Sequence, residues 1–303
     1  MEKILITGAT GFIGSWLSRY FLERNQNVII HGSSISTLNN LTNQLKNENF
    51  NSENYEVWEQ DFLKSNWHFP DFLEIESIIH CAAATKVREG TLENYEKYFG
   101  LNVLATKILA KKALDENINH FIYLSTGQVY GIPNSFPITE NTPKNPINLY
   151  GYTKLTGEKV VASLGILGLN YTIIRPFSIY GKGHYNIISI ITDKIDNNET
   201  LTIYGDGRQT RAFLHVNDIC NAIGLVLHNK KCFSEEYNLS GYKEYSVNDL
   251  VQLISNKLNK TPEIVYKESN VFELKRNIAN LSKIEKLGFI AQETLEDFID
   301  QLK

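Results

Sequence analysis

The sequence predicts an α/β fold, a doubly wound parallel sheet followed by a smaller, mixed C-terminal lobe. Over the first 175 residues, short apolar runs alternate with segments of helical spacing. This alternation is typical of a parallel sheet whose two faces are both covered by helices. After Pro176 the alternation loosens and four glycines fall between residues 181 and 207, which indicates that a second, less regular lobe begins there.

Six strands are predicted in the first part of the chain from short runs rich in isoleucine, valine and aromatic residues. They cover residues 3–7, 27–30, 55–58, 77–80, 120–125 and 171–175. Helical spacing is present around residues 16–21, over a long segment 92–117, and over 149–164. In the second part, strand-like pieces at 201–204 and 212–216 alternate with helices at 216–227 and 247–258.

Composition argues against several classes of protein. The 303 residues carry a formal net charge of −4 and a pI of about 6.0, whereas nucleic-acid-binding domains usually have a pI above about 9. No run approaches the roughly 20 apolar residues of a membrane span, and the first apolar run is too short for a signal peptide. Cys81, Cys220 and Cys232 lack metal-ligand spacing. We therefore expect a cytoplasmic protein with no metal site, no nucleic-acid partner and no membrane segment.

The turn after the first predicted strand carries three glycines, Gly8, Gly11 and Gly14, spaced as G-x-x-G-x-x-G. Glycine at these places allows the tight turn, the approach of a pyrophosphate to the backbone, and close helix–strand packing. The helix that follows offers backbone N–H groups and the positive end of its dipole to the phosphates. Strand, turn and helix together predict a dinucleotide site, with Phe12 and Ile13 at the start of the helix.

The second predicted strand ends in IHGSS at residues 30–34, without a carboxylate. NAD-selective sites place an acidic residue here to bind the ribose 2′-hydroxyl. One interpretation is that the site accepts the 2′-phosphate of NADP, with His31, Ser33 and Ser34 as donors. The alternative is that backbone and water hold the ribose without strong preference, because no arginine stands nearby. Asp61 and Phe62, after the third strand, are candidates for contact with the adenine.

Tyr150 and Lys154 stand at positions i and i+4 of a predicted helix and therefore share one face. A nearby ammonium favours the phenolate form of tyrosine, which suits it to acid–base chemistry. The pattern is common on solvated helices, but this helix follows a strand that ends in Ser125 and Thr126. The carboxyl end of such a strand is where an α/β sheet binds its ligands. Thr126 is a candidate to hold the same substrate oxygen, with Ser125 as the alternative.

Motifs that extend through nearly the whole chain carry a family resemblance. They are ITGATGFIG at 6–14, HCAAA at 80–84, STGQVYG at 125–131, the Tyr150/Lys154 pair, RP at 175–176 and GDG at 205–207. In this order they resemble the extended short-chain dehydrogenase/reductases of the nucleotide-sugar epimerase/dehydratase group, which have a Rossmann-type fold. The resemblance implies NADP or NAD as cofactor, with Thr126, Tyr150 and Lys154 as catalytic residues and Asn102 as support for the active-site helix.

The candidate ligand-binding residues follow from the patterns and the resemblance together. Those for the cofactor are Gly8, Gly11, Phe12, Ile13, Gly14, His31, Ser33, Ser34, Asp61, Phe62, Ala82, Ala83, Ala84, Asn102, Tyr150, Lys154 and Pro176. Those for a nucleotide-sugar substrate are Thr85, Lys86, Thr126, Gln128, Ser178, Tyr204 and Arg211. Arg211 matches the family arginine that clamps the diphosphate, for which a guanidinium fork is suited; a surface salt bridge is the alternative. Asp218 matches a family aspartate at the start of the next helix, although capping alone explains such a residue.

Departures from the family pattern narrow the expected chemistry. Gly127 and Gln128 stand where the 4,6-dehydratases carry Asp-Glu, so the carboxyl groups that expel water are missing. Ala212 stands where the family often has an aspartate, and Ser178 where it often has an asparagine. These last two changes concern substrate contacts and leave the hydride-transfer centre unchanged.

We therefore expect a cofactor-binding domain of residues 1–175, to which 213–240 returns, and a substrate lobe of 176–212 and 241–303, with a cleft between them. The expected reaction is hydride transfer at C4 of a nucleotide-linked sugar. The missing carboxylate after the second strand favours a 4-keto-sugar reductase; the alternative is a 4-epimerase with tightly bound NAD. A non-catalytic cofactor-binding protein is a remote alternative, because the Thr126/Tyr150/Lys154 set is intact.

The resemblance also implies a homodimer, built as a four-helix bundle from segments 92–117 and 149–164 of each subunit. Two sets of residues at helical spacing support this prediction: Tyr95, Phe99, Val103, Thr106, Ala110 and Ala113 in the first segment, and Gly157, Val161 and Ala162 in the second. The alternative is that the same stripes face the sheet of their own subunit.

Overall fold

The computed structural model describes residues 3–268 and 274–302. The strands in chain order are β1 Lys3–Thr7, β2 Asn27–Gly32, β3 Tyr55–Glu59, β4 Ile75–His80, β5 His120–Leu124, β6 Tyr171–Pro176, β7 Ser178–Tyr180, β8 Leu201–Tyr204, β9 Thr210–His215, β10 Glu235–Leu239, β11 Glu244–Ser246 and β12 Ile264–Lys267. The helices are α1 Phe12–Leu22, α2 Ile35–Asn47, α3 Tyr95–Phe99, α4 Ala105–Asp115, α5 Leu149–Gly165, α6 Ile187–Asp196, α7 Val216–Val226, α8 Val247–Leu258, α9 Ser282–Glu285 and α10 Leu295–Asp300. All six strands predicted for the first part of the chain are present, with ends within two residues of those expected.

Seven strands form one sheet in the order β10-β6-β5-β4-β1-β2-β3. The pairings from β3 to β6 are all parallel. The order runs outward from β1 in both directions, with β2 on one side and β4 on the other, so the predicted doubly wound fold is confirmed. Ligands of such sheets bind at the carboxyl ends of the strands where the order reverses, which here is the end of β1.

The core of this sheet explains why β1 forms. Ile4, Leu5 and Ile6 are buried on both faces of the strand, as expected where helices cover the two faces of a parallel sheet. Leu5 packs in one cluster with Ile29 and Ile78 of the neighbouring strands. Helix α4 covers this face through buried residues that include Leu109, Ala110 and Ala113.

Helix α2 was not predicted from the sequence. Its apolar positions Leu38, Leu41 and Leu45 are buried and follow helical spacing. They stand among serine, threonine and asparagine residues, whose weak helix propensity hides the periodic signal.

The prediction of a single helix over 92–117 is wrong in detail, because the segment is divided into several helical pieces. A 3₁₀ turn at Leu92–Asn94 leads into α3, a π-helical segment at Gly100–Leu104 separates α3 from α4, and α4 ends at Asp115. Inserted π turns are frequent at functional sites. This one contains Asn102, whose side chain is bound to residues of two other segments.

The chain divides into two compact units. The first contains the residues up to Gly131, Pro143–Arg175 and Ala222–Tyr237, and the second contains Ile132–Thr142, Pro176–Asn221 and the residues from Asn238 onward. The segment that returns to the first unit is therefore 222–237, where 213–240 was expected, and 132–142 belongs to the second unit.

The second unit contains the smaller mixed sheet that the sequence predicts. Strand β9 pairs with β11 antiparallel and with β7 parallel, and β8 pairs with β12 parallel. A separate core holds this unit together, with Ile188, Ile191 and Ile195 of α6 packed in one cluster with α8 residues such as Leu250 and Ile254.

Candidate active site

The glycine turn after β1 has the close packing that a dinucleotide site requires. Gly8 has φ +67°, and a Cβ added there would lie 2.7 Å from Ala82 Cα. A Cβ on Gly14 would lie 2.3 Å from the carbonyl oxygen of Gly8. Gly11 is the N-cap of α1 and has no side chain that could cap the helix. The turn therefore presents backbone rather than side chains at the N-terminus of α1, which fits the phosphates of a dinucleotide.

His31 is bound within the protein, so its predicted role as a donor to the cofactor is corrected. Its Nδ1 accepts the Gly8 N–H at 3.0 Å, and its Nε2 donates to the Gln60 carbonyl at 2.9 Å. The ring is 3% exposed. Burial lowers the pKa of His31 to about 4, so the ring is neutral and its two nitrogens are both used. His31 holds the phosphate turn against the segment that follows β3.

Phe62 was predicted to contact the adenine, but both faces of its ring region are packed against other aromatic side chains of the protein. It stacks on His31 with the ring centroids 4.2 Å apart and on Trp67 at 4.4 Å. The side chain is 6% exposed. Asp61 stays a candidate for contact with the adenine, and its carboxylate accepts the Leu63 N–H at 3.0 Å.

The end of β2 is tightly packed around residue 32, so a side chain there would require its neighbours to shift. A Cβ on Gly32 would lie 2.8 Å from Thr10 Cγ2 and 2.9 Å from Leu38 Cγ. Ser33 is exposed, and Ser34 is the N-cap of α2, with its hydroxyl 3.1 Å from that of Thr37. The two serines therefore stay candidate ribose contacts.

Asn102 acts through other residues and not as a direct cofactor contact. Its side chain is fully buried, accepts the Ala84 N–H at 2.8 Å and donates to the Ala84 carbonyl at 3.0 Å. The same amide donates to Thr153 Oγ1 at 2.9 Å. Asn102 thus joins the segment after β4 to helix α5, as the resemblance implies. Its assignment as a cofactor-binding residue is corrected.

Helix α5 begins against the segment that follows β5. Its N-cap Asn148 accepts the Gly151 N–H at 2.8 Å. A Cβ on Gly151 would lie 2.6 Å from the Gln128 carbonyl oxygen, so only glycine allows this approach. The close contact brings the first turn of α5 to Thr126, and the hydroxyls of Thr126 and Tyr150 are hydrogen-bonded. Thr126, rather than Ser125, is thereby placed with the tyrosine.

Lys154 lies behind Tyr150 on the same helix and is 1% exposed. Its Nζ is 4.0 Å from the ring centroid of Tyr123. Burial lowers the pKa of Lys154 to about 7 and raises that of Tyr150 to about 12, although the Thr126 hydrogen bond opposes the second effect. The sequence suggested that the ammonium lowers the pKa of the tyrosine. In the structure the burial of the phenol is the larger effect, so the pKa of Tyr150 is raised rather than lowered.

The sequence reasoning missed a buried ion network around Glu158 of α5. Glu158 accepts the Ser125 hydroxyl at 2.5 Å and two Arg175 donors at 2.7 and 2.8 Å. Arg175 also donates to the Tyr130 hydroxyl at 2.8 Å and pairs with Glu236. A signal was present, since Glu158 continues the i, i+4 series of Tyr150 and Lys154 along α5.

In the second unit, two of the predicted substrate residues share one pocket. Arg211 and Ser178 line a cavity of about 270 Å³. Arg211 Nη1 donates to the carbonyl groups of Thr210 and Leu274, each at 2.8 Å. The sequence reasoning missed the other lining residues, which are Ile179, Asn186, Ile187, Gln209, Phe213 and Val247.

The other predicted substrate residues are spread over both units. Thr85 and Tyr204 are exposed, and Lys86 pairs with Glu89 at 2.7 Å. Gln128 accepts the Asn148 amide at 3.1 Å. Two further residues are buried: Pro176, which ends β6, and Asp218, which accepts the backbone N–H groups of Gln292 and Glu293 at 3.0 and 3.3 Å.

Neither a metal cluster nor a membrane-spanning helix occurs in the part of the chain that the structure describes. No three or more His, Cys, Asp or Glu side chains there are grouped so that they could hold a metal ion. No helix within the same residues is long and apolar enough to cross a bilayer.

Comparison with known proteins identifies the family. Residues 4–240 match the model of the NAD dependent epimerase/dehydratase family. The chain belongs to this family. The predicted enzyme class, an NAD-dependent nucleotide-sugar enzyme of the extended short-chain dehydrogenase/reductase type, is thereby confirmed, and so is its nicotinamide cofactor.

The relatives in this epimerase/dehydratase family include curated sequences and solved structures. A putative UDP-glucose 4-epimerase from Methanocaldococcus jannaschii is 34% identical over 310 residues, which cover 99% of this chain and 96% of that protein. A dTDP-D-glucose 4,6-dehydratase from Dictyostelium discoideum is 30% identical over 84% of this chain and 62% of its own length. The structure of a UDP-glucuronic acid 4-epimerase from Bacillus cereus, in complex with UDP-glucuronic acid and NAD, is similar with a TM-score of 0.87 and 26% identity, covering 98% of this chain and 96% of that chain.

Proposed function

We propose that the protein is an NAD-dependent 4-epimerase of a UDP-linked hexose or hexuronic acid. The hydrogen-bonded pair of Thr126 and Tyr150, with buried Lys154 behind it, carries the proposal. This group is suited to move a proton on one sugar hydroxyl. The epimerase names of relatives at 34% and 26% identity favour C4 as the reacting carbon.

In the proposed reaction Tyr150 takes the proton of the C4 hydroxyl while Thr126 orients that oxygen. NAD, when bound, would supply the hydride acceptor and a positive charge on its nicotinamide ring. Burial raises the pKa of Tyr150 to about 12, and a positive charge near the phenol would favour the phenolate. Tyr150 then returns its proton to the C4 oxygen as the hydride is given back to the opposite face of C4, which inverts that carbon. The protein aligns the substrate with the cofactor and polarises the reacting C–O bond, and the cofactor carries the redox step.

The segment that contains Gln128 argues against the dehydratase chemistry of the same family. Dehydration needs carboxyl groups next to the catalytic threonine, and here Gly127 and Gln128 follow Thr126. Gln128 is a neutral amide whose oxygen accepts from Asn148 at 3.1 Å. It cannot serve as the general acid or base that removes water from the sugar.

The pocket lined by Arg211 is the proposed site of the UDP moiety. A guanidinium offers paired donors to phosphate oxygens, and backbone carbonyl groups of Thr210 and Leu274 hold Arg211 through its Nη1. Ile179 and Phe213 provide apolar surface in the same pocket. These features support a nucleoside diphosphate as the recognition element.

The test is incubation of the purified protein with UDP-glucose and, separately, UDP-glucuronic acid, without added cofactor. We expect the C4 epimer to form, as detected by proton NMR, with no net change in the nicotinamide absorbance. NAD should be released from the purified protein on denaturation. Consumption of added NADPH by a 4-keto nucleotide sugar, with no epimer formed, would replace the proposal by the reductase alternative.

Tyr150→Phe is the control for the assignment of the chemistry. We expect turnover to fall about 10²- to 10⁴-fold, as is typical when a general acid–base group is lost, with substrate affinity changed far less. A variant that epimerises at nearly the wild-type rate would contradict the role of Tyr150. Loss of substrate affinity with unchanged turnover would show instead that Tyr150 serves binding only.

A further inference from the structure

The ribose end of the cofactor site has an unusual arrangement of charge in this protein. Residue 32, at the end of β2, is where NAD-selective sheets carry an acidic side chain, and here it is glycine. A Cβ at this position would lie within 2.9 Å of side-chain atoms of both Thr10 and Leu38, which would have to shift to admit it, and the glycine itself carries no carboxylate. A carboxylate that binds the ribose must therefore come from another residue.

Glu59 carries a carboxylate beside this position. It is the last residue of β3, and the parallel register pairs it directly with Gly32. The backbone holds this register beyond the pair, since the Gln60 N–H donates to the Gly32 carbonyl at 3.0 Å. The exposed Glu59 side chain thus leaves the sheet beside the position where the usual acidic residue would stand.

The Glu59 carboxylate is oriented by the segment that follows β2. One oxygen, Oε1, accepts the N–H of Ile35, the first residue of α2, at 2.9 Å. Ile35 directly follows Ser33 and Ser34, the candidate ribose contacts, in the sequence. A carboxylate has two oxygens that can each accept hydrogen bonds, so the contact with Ile35 leaves acceptor capacity for a ligand hydroxyl.

We propose that Glu59 replaces the missing residue-32 carboxylate, binds the adenosine ribose hydroxyls of NAD and discriminates against NADP. A 2′-phosphate at this point would meet a like charge and would lose the hydrogen bond that a 2′-hydroxyl donates. Residues 31–38 and 59–63 contain no lysine or arginine, and the first cation after Glu59 is Lys64. This reverses the tolerance of NADP that the sequence suggested from residue 32 alone.

The test is competition binding with labelled NAD, using NAD, 2′-deoxy-NAD and NADP as competitors. For the wild type we expect NADP and 2′-deoxy-NAD to bind at least tenfold more weakly than NAD, as follows from one charge-assisted hydrogen bond. In Glu59→Gln the amide oxygen can still accept from Ile35, but the charge is gone. We expect the preference for NAD over NADP to fall about tenfold or more in this variant. The ratio of the affinities for NAD and 2′-deoxy-NAD should also decrease in this variant.

Glu56→Gln is the matched control. Glu56 lies on the same strand and pairs with Lys3 at 2.6 Å, away from the end of β2. We expect its cofactor preference to equal that of the wild type. The proposal is overturned if the wild type binds NADP as tightly as NAD, or if Glu59→Gln leaves both preferences unchanged. A lower melting temperature of Glu59→Ala with wild-type preferences would show that Glu59 only caps α2. Because these measurements follow binding alone, failure of the 4-epimerase proposal would leave them unaffected.

Discussion

Glu158→Gln is the substitution that best distinguishes the effect of the buried ion network on stability from its effect on the proposed catalytic residues. Glutamine keeps nearly the size of the side chain but removes the charge that two Arg175 donors contact at 2.7 and 2.8 Å. Removing one partner of a buried ion pair costs about 3–5 kcal/mol. Arg175 keeps the Tyr130 hydroxyl at 2.8 Å and its pair with Glu236. We therefore expect the free energy of unfolding to fall by about 3 kcal/mol, the lower end of that range.

The same substitution should shift the pH dependence of the reaction. Burial lowers the pKa of Lys154 to about 7, and Glu158 and the Cys81 thiol act in the opposite direction. Without the Glu158 charge the pKa of Lys154 falls further, so less ammonium is present at neutral pH. A less charged Lys154 stabilises the Tyr150 phenolate less, and the acidic limb of the kcat/KM profile should move to higher pH. We expect kcat/KM at pH 7 to fall about three- to tenfold.

The assays are urea unfolding and the pH profile of kcat/KM at saturating NAD, each compared with the wild type. Asp115→Asn is the control, because Asp115 forms an exposed i, i+4 pair with Lys111 at 2.5 Å. Such a pair contributes about 0.3–0.5 kcal/mol, and this variant should keep the wild-type profile. Loss of stability in Glu158→Gln without movement of the acidic limb would refute the electrostatic reasoning and leave Glu158 a purely structural role.

Two further predictions concern the cofactor turn and the assembly. Because the pKa of His31 is lowered to about 4 in the folded state from about 6.5 in the unfolded chain, the unfolded state binds a proton first, and stability should fall as the pH drops from about 6.5 to about 4. His31→Leu should flatten that part of the pH dependence and weaken NAD binding, as checked by unfolding at several pH values and by NAD titration; an unchanged pH dependence would contradict the assignment. The homodimer stays a prediction, but Ala110 is fully buried within its own subunit, so the probe of the interface is the exposed Ile108. Ile108→Glu should convert a dimer to monomer in sedimentation at micromolar concentration, whereas a wild-type species near 34.6 kDa would rule the dimer out.

The helical stripes show why the interface could not be chosen from spacing. Val103, Thr106, Ala110 and Ala113 have the expected periodicity, but all are buried within the subunit. On the second helix, a Cβ on Gly157 would lie 2.2 Å from the Tyr123 hydroxyl, so its small size serves packing onto β5. Periodicity identifies the buried face of a helix, but it does not tell whether the subunit's own sheet or a second subunit covers that face. The exposed apolar residues of the same region are Leu104 at 47% and Ile108 at 42%, and they stand four positions apart.

The sequence pattern predicted the bounds of a helix or strand well where the residues of that segment alone determine its structure. The bounds of β1 and α8 agree with the prediction to the residue, because apolar runs and capping residues act within a few positions. The π-helical segment at Gly100–Leu104 could not be predicted in this way. Asn102 within it is bound by Ala84 and Thr153, and these partners are distant along the sequence. Tertiary contacts decide such irregular turns.

The candidate site shows the same division between position and bonding. The spacing of Tyr150 and Lys154 after β5 was sufficient to place both residues, because a helix face and a strand end are local properties. His31 was assigned to the correct segment but to the wrong partner, since its nitrogens are taken by Gly8 and Gln60. A motif states where a side chain stands. It does not state whether another part of the protein has already used the side chain's hydrogen-bonding groups.

At the ribose end of the site, the charge near residue 32 also depends on a residue of the neighbouring strand. The usual rule looks for the ribose-binding carboxylate only at the end of β2. It assumes that this carboxylate is carried by β2 itself. In a parallel sheet, residues in register on adjacent strands lie side by side, so a carboxylate on β3 can occupy nearly the same space. Gly32 and Glu59 are such a pair. They are 27 positions apart in the sequence, so no motif read along one strand connects them. The absence of an acidic residue at position 32 is therefore no evidence for NADP until the neighbouring strand has been read as well.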